Sequence, residues 1–191
     1  MKVLIACEFS GVVRDAFAAK GHFAISCDLL QTEKPGNHFQ GDVSILLKDN
    51  WDLIIAHPPC TYLANSGVRW LYEKGTLVRV KDRWDKMNEA AEFFKLFINH
   101  PCGKVCIENP IQHSWSNLPK PDQYIQPWQF GHGESKMVCL WLKGLKPLQY
   151  TNVVHGREAK VHRMAPGPDR QKNRSRFFTG IAEAMATQWS N

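Results

Sequence analysis

Short, almost wholly apolar runs alternate along this chain with stretches of helical periodicity. The runs KVLIAC, HFAISCD, WDLIIA, KVCIE and KMVCLWL predict buried strands at residues 2–7, 22–28, 51–56, 104–108 and 136–142. Amphipathic spacing predicts helices at about 12–20, 81–99 and 179–189. Because strands and helices alternate, we expect an α/β fold with an open, mostly parallel sheet and helices on both faces.

Polar and conformationally unusual residues follow the predicted strands. In open α/β sheets, ligands bind outside the carboxyl ends of the strands. The sequence therefore predicts a binding site built from the residues that follow them: Glu8 to Gly11, Asp28, Asp42, His57 to Thr61 and Glu108 to Pro110.

Length and composition favour a single globular domain over residues 1–191. Hydrophobic residues make up 43% and charged residues 22% of the chain, which is ordinary for such a domain. The absence of an apolar run near the ~18 residues that span a bilayer, and of a signal-peptide pattern, predicts a cytoplasmic protein without membrane contact. The six cysteines are scattered through apolar runs, so we expect no metal site and, apart from Cys60, buried free thiols.

The net charge of +6 is concentrated near the C-terminus. Between residues 151 and 176, two acidic residues stand against seven basic ones: Arg157, Lys160, Arg163, Arg170, Lys172, Arg174 and Arg176. Such a stretch favours a phosphate-bearing partner, the alternative being a solvated loop. Its Pro166-Gly167-Pro168 sequence argues against a helix and predicts an extended, mobile loop.

The sequence DLIIAHPPCT places a cysteine at the end of a buried strand. Pro58 and Pro59 stiffen the chain there and present Cys60 at the sheet edge. Because a thiolate is a strong nucleophile, Cys60 is the candidate catalytic residue; the alternative is a cysteine buried at a strand end.

Two further groups of residues suit the same edge. Glu108 in IENP ends another strand, and if burial raised its pKa it would donate a hydrogen bond to a ring nitrogen. The alternative is a glutamate paired with a basic side chain. The Phe9-Ser10-Gly11 turn lets backbone N–H groups approach a cofactor, and Asp28 and Asp42 suit ribose and adenine donors.

Together these motifs resemble those of the DNA cytosine-C5 methyltransferases. DLIIAHPPCT is similar to the family's Pro-Pro-Cys motif, and VCIENP to its Glu-Asn-Val motif with Pro110 in place of valine. IACEFSG resembles the Phe-x-Gly cofactor motif, and in ESKMVCLWLKG Lys136 matches the charge of an Arg-x-Arg pattern. The resemblance implies a Rossmann-like, S-adenosylmethionine-dependent methyltransferase without a metal.

The resemblance also implies roles for these residues. Cys60 adds to C6 of a cytosine in DNA, Glu108 bonds N3, and Asn109 positions the Cys60 loop; the target base must leave the stack. The residues implied to hold the cofactor are Phe9, Ser10, Gly11, Asp28, Asp42 and Pro58. Contacts to the nucleic acid fall to Lys136 and the seven basic residues given above.

Departures from the family pattern leave alternatives open. Val12-Val13-Arg14 stands where a glycine pair is usual, and a basic insertion at about 145–176 replaces a large target-recognition region. The alternatives are an inactive nucleic-acid-binding protein of the same fold and a C5 methyltransferase of free pyrimidine nucleotides. Three tryptophans suit base stacking, although core packing is more typical of each: Trp128, Trp141 and Trp189.

Overall fold

One sheet organises the part of the chain that the structure describes. The computed structural model describes residues 1–190, with the backbone alone at residue 171. The strands are β1 (Lys2–Ala6), β2 (Phe23–Asp28), β3 (His38–Gln40), β4 (Leu53–Ala56), β5 (Val105–Asn109), β6 (Gln123–Ile125) and β7 (Val138–Lys143). The helices are α1 (Val12–Ala18), α2 (Lys81–Ile98), α3 (Lys160–Arg163), α4 (Arg170–Ser175) and α5 (Thr179–Gln188).

The strands lie in the order β3-β2-β1-β4-β5-β7-β6. β1 to β5 pair in parallel, whereas β7 runs antiparallel to both β5 and β6. The prediction of an open, mostly parallel α/β sheet is therefore confirmed. The order reverses between β1 and β4, and the crevice for a ligand in this class of sheet lies at such a switch point.

The sheet separates two hydrophobic cores, which explains why its central strands are apolar throughout. Successive residues of β1 alternate between them: Val3 and Ile5 face one core, Leu4 and Ala6 the other, and all four are fully buried. Helices α1 and α5 cover the first core, and α2 covers the second with its apolar stripe. Both faces of the sheet are thus covered, and its strand ends are left for the site.

The sequence placed most elements correctly and missed the shortest ones. β4 begins at Leu53 and not at residue 51, because its ladder with β1 starts at the Val3–Leu53 pair. The three-residue strands β3 and β6 are too short for an alternation of polar and apolar residues to be recognised. Within residues 1–190, no helix is both long and apolar enough to cross a bilayer.

Candidate active site

The carboxyl ends of β1, β2, β4 and β5 open onto one cleft of about 1210 Å³. The clusters that the sequence predicted after these strands all contribute to it, except the one around Asp42. The predicted site residues in its lining are Phe9, Ser10, Asp28, Pro58, Cys60, Glu108, Asn109, Lys136, Arg170, Lys172 and Arg174. Within the described residues, no cluster of three or more histidine, cysteine, aspartate or glutamate side chains is arranged to hold a metal ion.

At the β1 end of the cleft, the buried side chain of Glu8 caps helix α1. Its Oε1 accepts hydrogen bonds from the Val13 amide at 2.7 Å and the Ser10 hydroxyl at 3.1 Å, and its Oε2 accepts one from the Arg14 amide at 3.3 Å. Gly11 precedes the helix with φ of 71°, a left-handed conformation that favours glycine. Since Glu8 occupies these amides at the positive end of α1, an anionic ligand must find its donors elsewhere in the cleft.

Arg14 ends the Val12-Val13-Arg14 sequence that stands in place of a glycine pair in the resembled family, and the residue is only 1% exposed. The guanidinium bonds the Ser26 hydroxyl at 3.2 Å, the Thr32 hydroxyl at 3.3 Å, the carbonyls of Lys34 and Pro35 at 3.2 and 3.1 Å, and the Asp15 carboxylate at 2.8 Å. A Cβ atom on Gly36 would lie 2.7 Å from this group. Arg14 therefore holds the loop between β2 and β3 directly against α1.

The β1–β2 end of the cleft carries the residues predicted to hold a cofactor. Phe9, Ser10 and Asp28 lie there, with Leu30 beside them. A carboxylate next to apolar side chains suits a nucleoside, because it accepts hydrogen bonds from ribose hydroxyls while the apolar groups contact the base. The residues present fit the adenosyl part of S-adenosylmethionine.

Two predicted cofactor residues do not reach this cleft. Gly11 serves the turn into α1 and is not part of the lining. Asp42 is exposed, and its Oδ1 accepts the Ser44 amide hydrogen bond at 2.8 Å, which lowers the pKa of the carboxyl. In this structure Asp42 stabilises a local turn, so the expected contact with adenine lacks support from its position.

Cys60 lies on the cleft directly after the Pro58-Pro59 pair. Asn109 donates a hydrogen bond from Nδ2 to the Pro58 carbonyl at 2.7 Å and so ties the end of β5 to the Cys60 loop. Burial and the negative charge of Glu108 raise the pKa of the Cys60 thiol, and the charges of Lys136 and Arg174 offset part of this effect. At neutral pH Cys60 therefore rests as a thiol and needs a base to become a nucleophile.

Glu108 forms a hydrogen bond with His57 that the sequence did not predict. Its Oε2 lies 3.0 Å from Nδ1 of His57, and the two side chains are 14% and 11% exposed. Burial alone would raise the pKa of Glu108, but the hydrogen bond and charge of His57, with the charge of Lys136, outweigh it and hold the pKa below its usual value. Glu108 therefore rests as a carboxylate, which agrees with the alternative of a glutamate paired with a basic side chain.

The basic segment, residues 157–176, folds over the cleft and is not the extended loop that its proline and glycine residues predicted. Helices α3 and α4 flank Pro166-Gly167-Pro168. Backbone amides at the start of α3 donate hydrogen bonds to the buried carboxylate of Glu134. Near α4, Lys172 and Arg176 pair with Glu33. Arg176 binds Glu33 through two hydrogen bonds, of 2.7 and 2.9 Å, and Lys172 lies 3.2 Å from the same carboxylate. These bonds lower the pKa of Glu33 to about 2.

The cations of the basic segment are used unevenly. Arg170, Lys172 and Arg174 line the cleft, and Lys136 joins them there by donating a hydrogen bond to the Arg174 carbonyl at 2.9 Å. The others are not part of the lining: Arg157 stacks on Trp128 at 3.6 Å, Lys160 pairs with Glu158 at 3.3 Å, Arg163 is exposed, and Arg176 binds Glu33. Three of the seven predicted phosphate ligands are thus placed to act in the cleft.

Sequence reasoning also missed a group of basic and aromatic residues between positions 62 and 83, part of which lines the cleft. Trp70 is 57% exposed and lies under the Arg69 guanidinium, 4.7 Å from its ring centre. Arg83 stacks on Tyr62 at 4.3 Å and donates to the Thr61 carbonyl at 3.0 Å. Trp70 and Arg83 line the cleft, whereas Trp141 and Trp189 are buried in the cores. The interleaving of arginine with aromatic residues over 62–84 was the available signal.

Comparison with known proteins finds similarity in fold only. No family model matches the chain, and no curated protein matches it. A DNA modification methyltransferase encoded within a prophage, from E. coli, is similar with a TM-score of 0.47 and 15% identity over 73% of this chain and 45% of that one. A mutant of DNMT2 from Spodoptera frugiperda is similar with a TM-score of 0.39 and 12% identity over 80% of this chain and 53% of that one. The chain spans about half the length of these two proteins.

Proposed function

We propose that this chain is an S-adenosylmethionine-dependent methyltransferase that methylates C5 of cytosine in DNA through covalent catalysis by Cys60. One observation carries the proposal: Cys60 follows β4, Glu108 lies at the end of the neighbouring parallel strand β5, and both line one cleft, whose other end fits a nucleoside. A nucleophile and a proton carrier beside a nucleoside pocket are the parts that pyrimidine activation needs.

Cys60 and Glu108 act on different atoms of the pyrimidine ring in the same step. Cys60 adds to C6 of the pyrimidine, and the electron pair displaced through the ring is stabilised when N3 receives a proton by way of Glu108. Asn109 holds the Cys60 loop through the Pro58 carbonyl. S-adenosylmethionine, when bound, supplies the methyl group that C5 accepts. The C5 proton then leaves to water, the C5=C6 double bond forms again and Cys60 departs as a thiolate, which takes back the N3 proton through Glu108.

The basic and aromatic residues that line the cleft support a nucleic-acid substrate. Arg170, Lys172 and Arg174 suit phosphates, and the exposed Trp70 suits a stacked base. A second candidate is a free pyrimidine nucleotide. It is favoured by the pairing of Lys172 and Arg176 with Glu33, because these cations are already partly neutralised.

The test is transfer of a tritiated methyl group from S-adenosylmethionine to duplex DNA, RNA or deoxycytidine monophosphate. We expect label in DNA and none with Cys60→Ser, since a serine hydroxyl does not add to C6 at neutral pH. Cys102→Ser is the matched control, because a hydroxyl can make the one hydrogen bond that the Cys102 thiol shares between the carbonyls of Trp51 and Lys104.

A DNA containing 5-fluorocytosine adds a direct readout of the covalent step. Fluorine at C5 blocks the final elimination, so the protein–DNA adduct should accumulate and mass spectrometry should locate it on Cys60. If the label entered deoxycytidine monophosphate but not DNA, the substrate would be the free nucleotide and not the polymer. Binding of S-adenosylmethionine and DNA without label in any substrate would leave the inactive binding protein as the function.

A further inference from the structure

His57 lies in the cleft between the end of β4 and the catalytic loop, and nothing in the proposed mechanism uses it. Its Nδ1 bonds Glu108 at 3.0 Å, whereas its Nε2 is buried and has no hydrogen-bond partner within residues 1–190. The Phe177 ring packs on the imidazole with 4.9 Å between ring centres. The imidazole is therefore connected through hydrogen bonds to Glu108 alone.

This arrangement fixes which atom of the ring carries the proton. A protonated Nε2 would be a buried donor without an acceptor, which costs more than an unpaired lone pair on that atom. In the neutral ring the favoured tautomer therefore carries its hydrogen on Nδ1, and in the charged ring Nδ1 is also protonated, so in both states Nδ1 donates to Glu108. A carboxylate that accepts such a bond is stabilised in its ionised form.

Few other charges face Glu108. Lys136 also favours the ionised form, but its Nζ donates to the Arg174 carbonyl, so it acts at longer range. Three nearby thiols are neutral at neutral pH, because burial raises their pKa and the charge of Glu108 raises it further: Cys60 in the loop after β4, Cys106 on β5 and Cys139 on β7. Arg174 of α4 acts on Cys60. Within residues 1–190, His57 is thus the hydrogen-bonded partner that keeps Glu108 ionised.

We propose that His57 is a positioning residue that holds Glu108 as a carboxylate in the resting enzyme, so that Glu108 accepts the proton of Cys60 and passes it to N3 of the pyrimidine. This inference rests on the proposed function. It gives Glu108 the task of a shuttle and removes the need for a proton from solvent.

The step balances without any other reactant. The Sγ–H bond of Cys60 breaks and the Sγ–C6 bond forms. The C5=C6 double bond becomes C4=C5, the electron pair of C4=N3 moves to N3, and N3 takes the proton that Cys60 released. Glu108 is a carboxylate before and after the step and stays hydrogen-bonded to His57.

The proposal predicts how activity depends on pH. The productive state has an ionised Glu108 and a protonated Cys60, so the acidic limb of kcat/KM follows the pKa of Glu108. With the pKa held low by His57, that limb lies below neutral pH. In His57→Ala, burial is no longer opposed by the imidazole and the limb moves up. His57→Asn keeps a side-chain N–H near the position of Nδ1 and should retain the low limb.

The experiment measures kcat/KM for cytosine-containing DNA at pH 5 and pH 8 in the parent and both variants. We expect His57→Ala to lose severalfold more activity at pH 5 than at pH 8, because the raised acidic limb then enters this pH range, and His57→Asn to follow the parent. Equal losses in His57→Ala at both pH values would overturn the proposal, because they would show that His57 only supports the fold.

A second measurement does not depend on methyl transfer. Carbon-13 labelling of glutamate side chains, with Glu108→Gln for assignment, gives the titration of the Glu108 carboxyl by NMR. We expect its midpoint to rise in His57→Ala and to stay near the parent value in His57→Asn. An unchanged midpoint in His57→Ala would refute control by His57. If no substrate were methylated while the midpoint rose as expected, the proposed function would fail and the hold of His57 on Glu108 would stand.

Discussion

Replacement of Arg14 by methionine tests the argument that one buried guanidinium orders the cofactor end of the cleft. Methionine preserves much of the volume, so the cost of a cavity is small. The change leaves the hydroxyls of Ser26 and Thr32 and the carbonyls of Lys34 and Pro35 without their charged donor. The Asp15 carboxylate is 41% exposed and regains water, so its pair with Arg14 contributes little to stability.

The magnitude follows from these four contacts. A hydrogen bond to a charged group contributes about 1.5–3 kcal/mol when intact. Thr32, Lys34 and Pro35 lie in a surface loop and recover part of that from water, whereas the Ser26 hydroxyl on β2 is fully buried and does not. We therefore expect Arg14→Met to lower the free energy of unfolding by about 3 kcal/mol. The loop at 29–37 should loosen as well, because Arg14 contacts three of its residues: Thr32, Lys34 and Pro35.

Urea denaturation measures the first effect, and hydrogen–deuterium exchange of the 29–37 amides measures the second. Arg163→Met is the matched control, since Arg163 is exposed, and its cost should stay within about 0.5 kcal/mol. A cost of less than about 1 kcal/mol for Arg14→Met, with unchanged exchange in the loop, would refute the reasoning. Arg14 would then be a tolerated substitution for glycine without a structural task.

Three further predictions concern the ligands and the basic segment. S-adenosylmethionine at about 100 times its Kd should raise the free energy of unfolding by roughly 2.7 kcal/mol; calorimetry without binding would remove the methyltransferase proposal. Glu33→Gln should speed tryptic cleavage within the basic segment severalfold, as should high salt, because either change weakens the pairing of Glu33 with Lys172 and Arg176. Because its low pKa keeps Glu33 ionised, the cleavage rate of the parent should not rise between pH 7 and pH 5 for this reason. Replacing Arg170, Lys172 and Arg174 together by alanine should weaken DNA binding for all sequences. The slope of log K against log salt concentration should become shallower by about three or fewer. Unchanged binding would show that these cations face solvent and do not contact DNA.

The fold was predictable where burial dictates the sequence. β1, β4 and β5 are buried on both faces, so their composition alone marks them as strands. The helices of the basic segment were not predictable, because each is no longer than six residues and is supported by distant carboxylates, Glu134 for α3 and Glu33 for α4. Contacts between residues this far apart in the chain produce no periodic pattern of polar and apolar positions from which a helix could be predicted.

Proximity at the site was predictable, and protonation was not. The positions of Cys60 and Glu108 after two apolar strands sufficed to place them at one sheet edge, but whether the strands are neighbours is a matter of topology. The ionised state of Glu108 depends on a hydrogen bond to His57, 51 residues away in the chain. His57 did carry a signal, since a polar residue directly after LIIA and before two prolines has little reason to be there for packing.

The sheet ends on each side in a strand of only three residues, β3 at one edge and β6 at the other. An edge strand exposes unpaired N–H and C=O groups that can template pairing with another chain, and the hazard grows with its length. Pro121 and Pro127 lie on either side of β6 and cannot donate a backbone hydrogen bond. The brevity of these edges is therefore a protection against aggregation, and substitutions that lengthen β6 should make the chain prone to it.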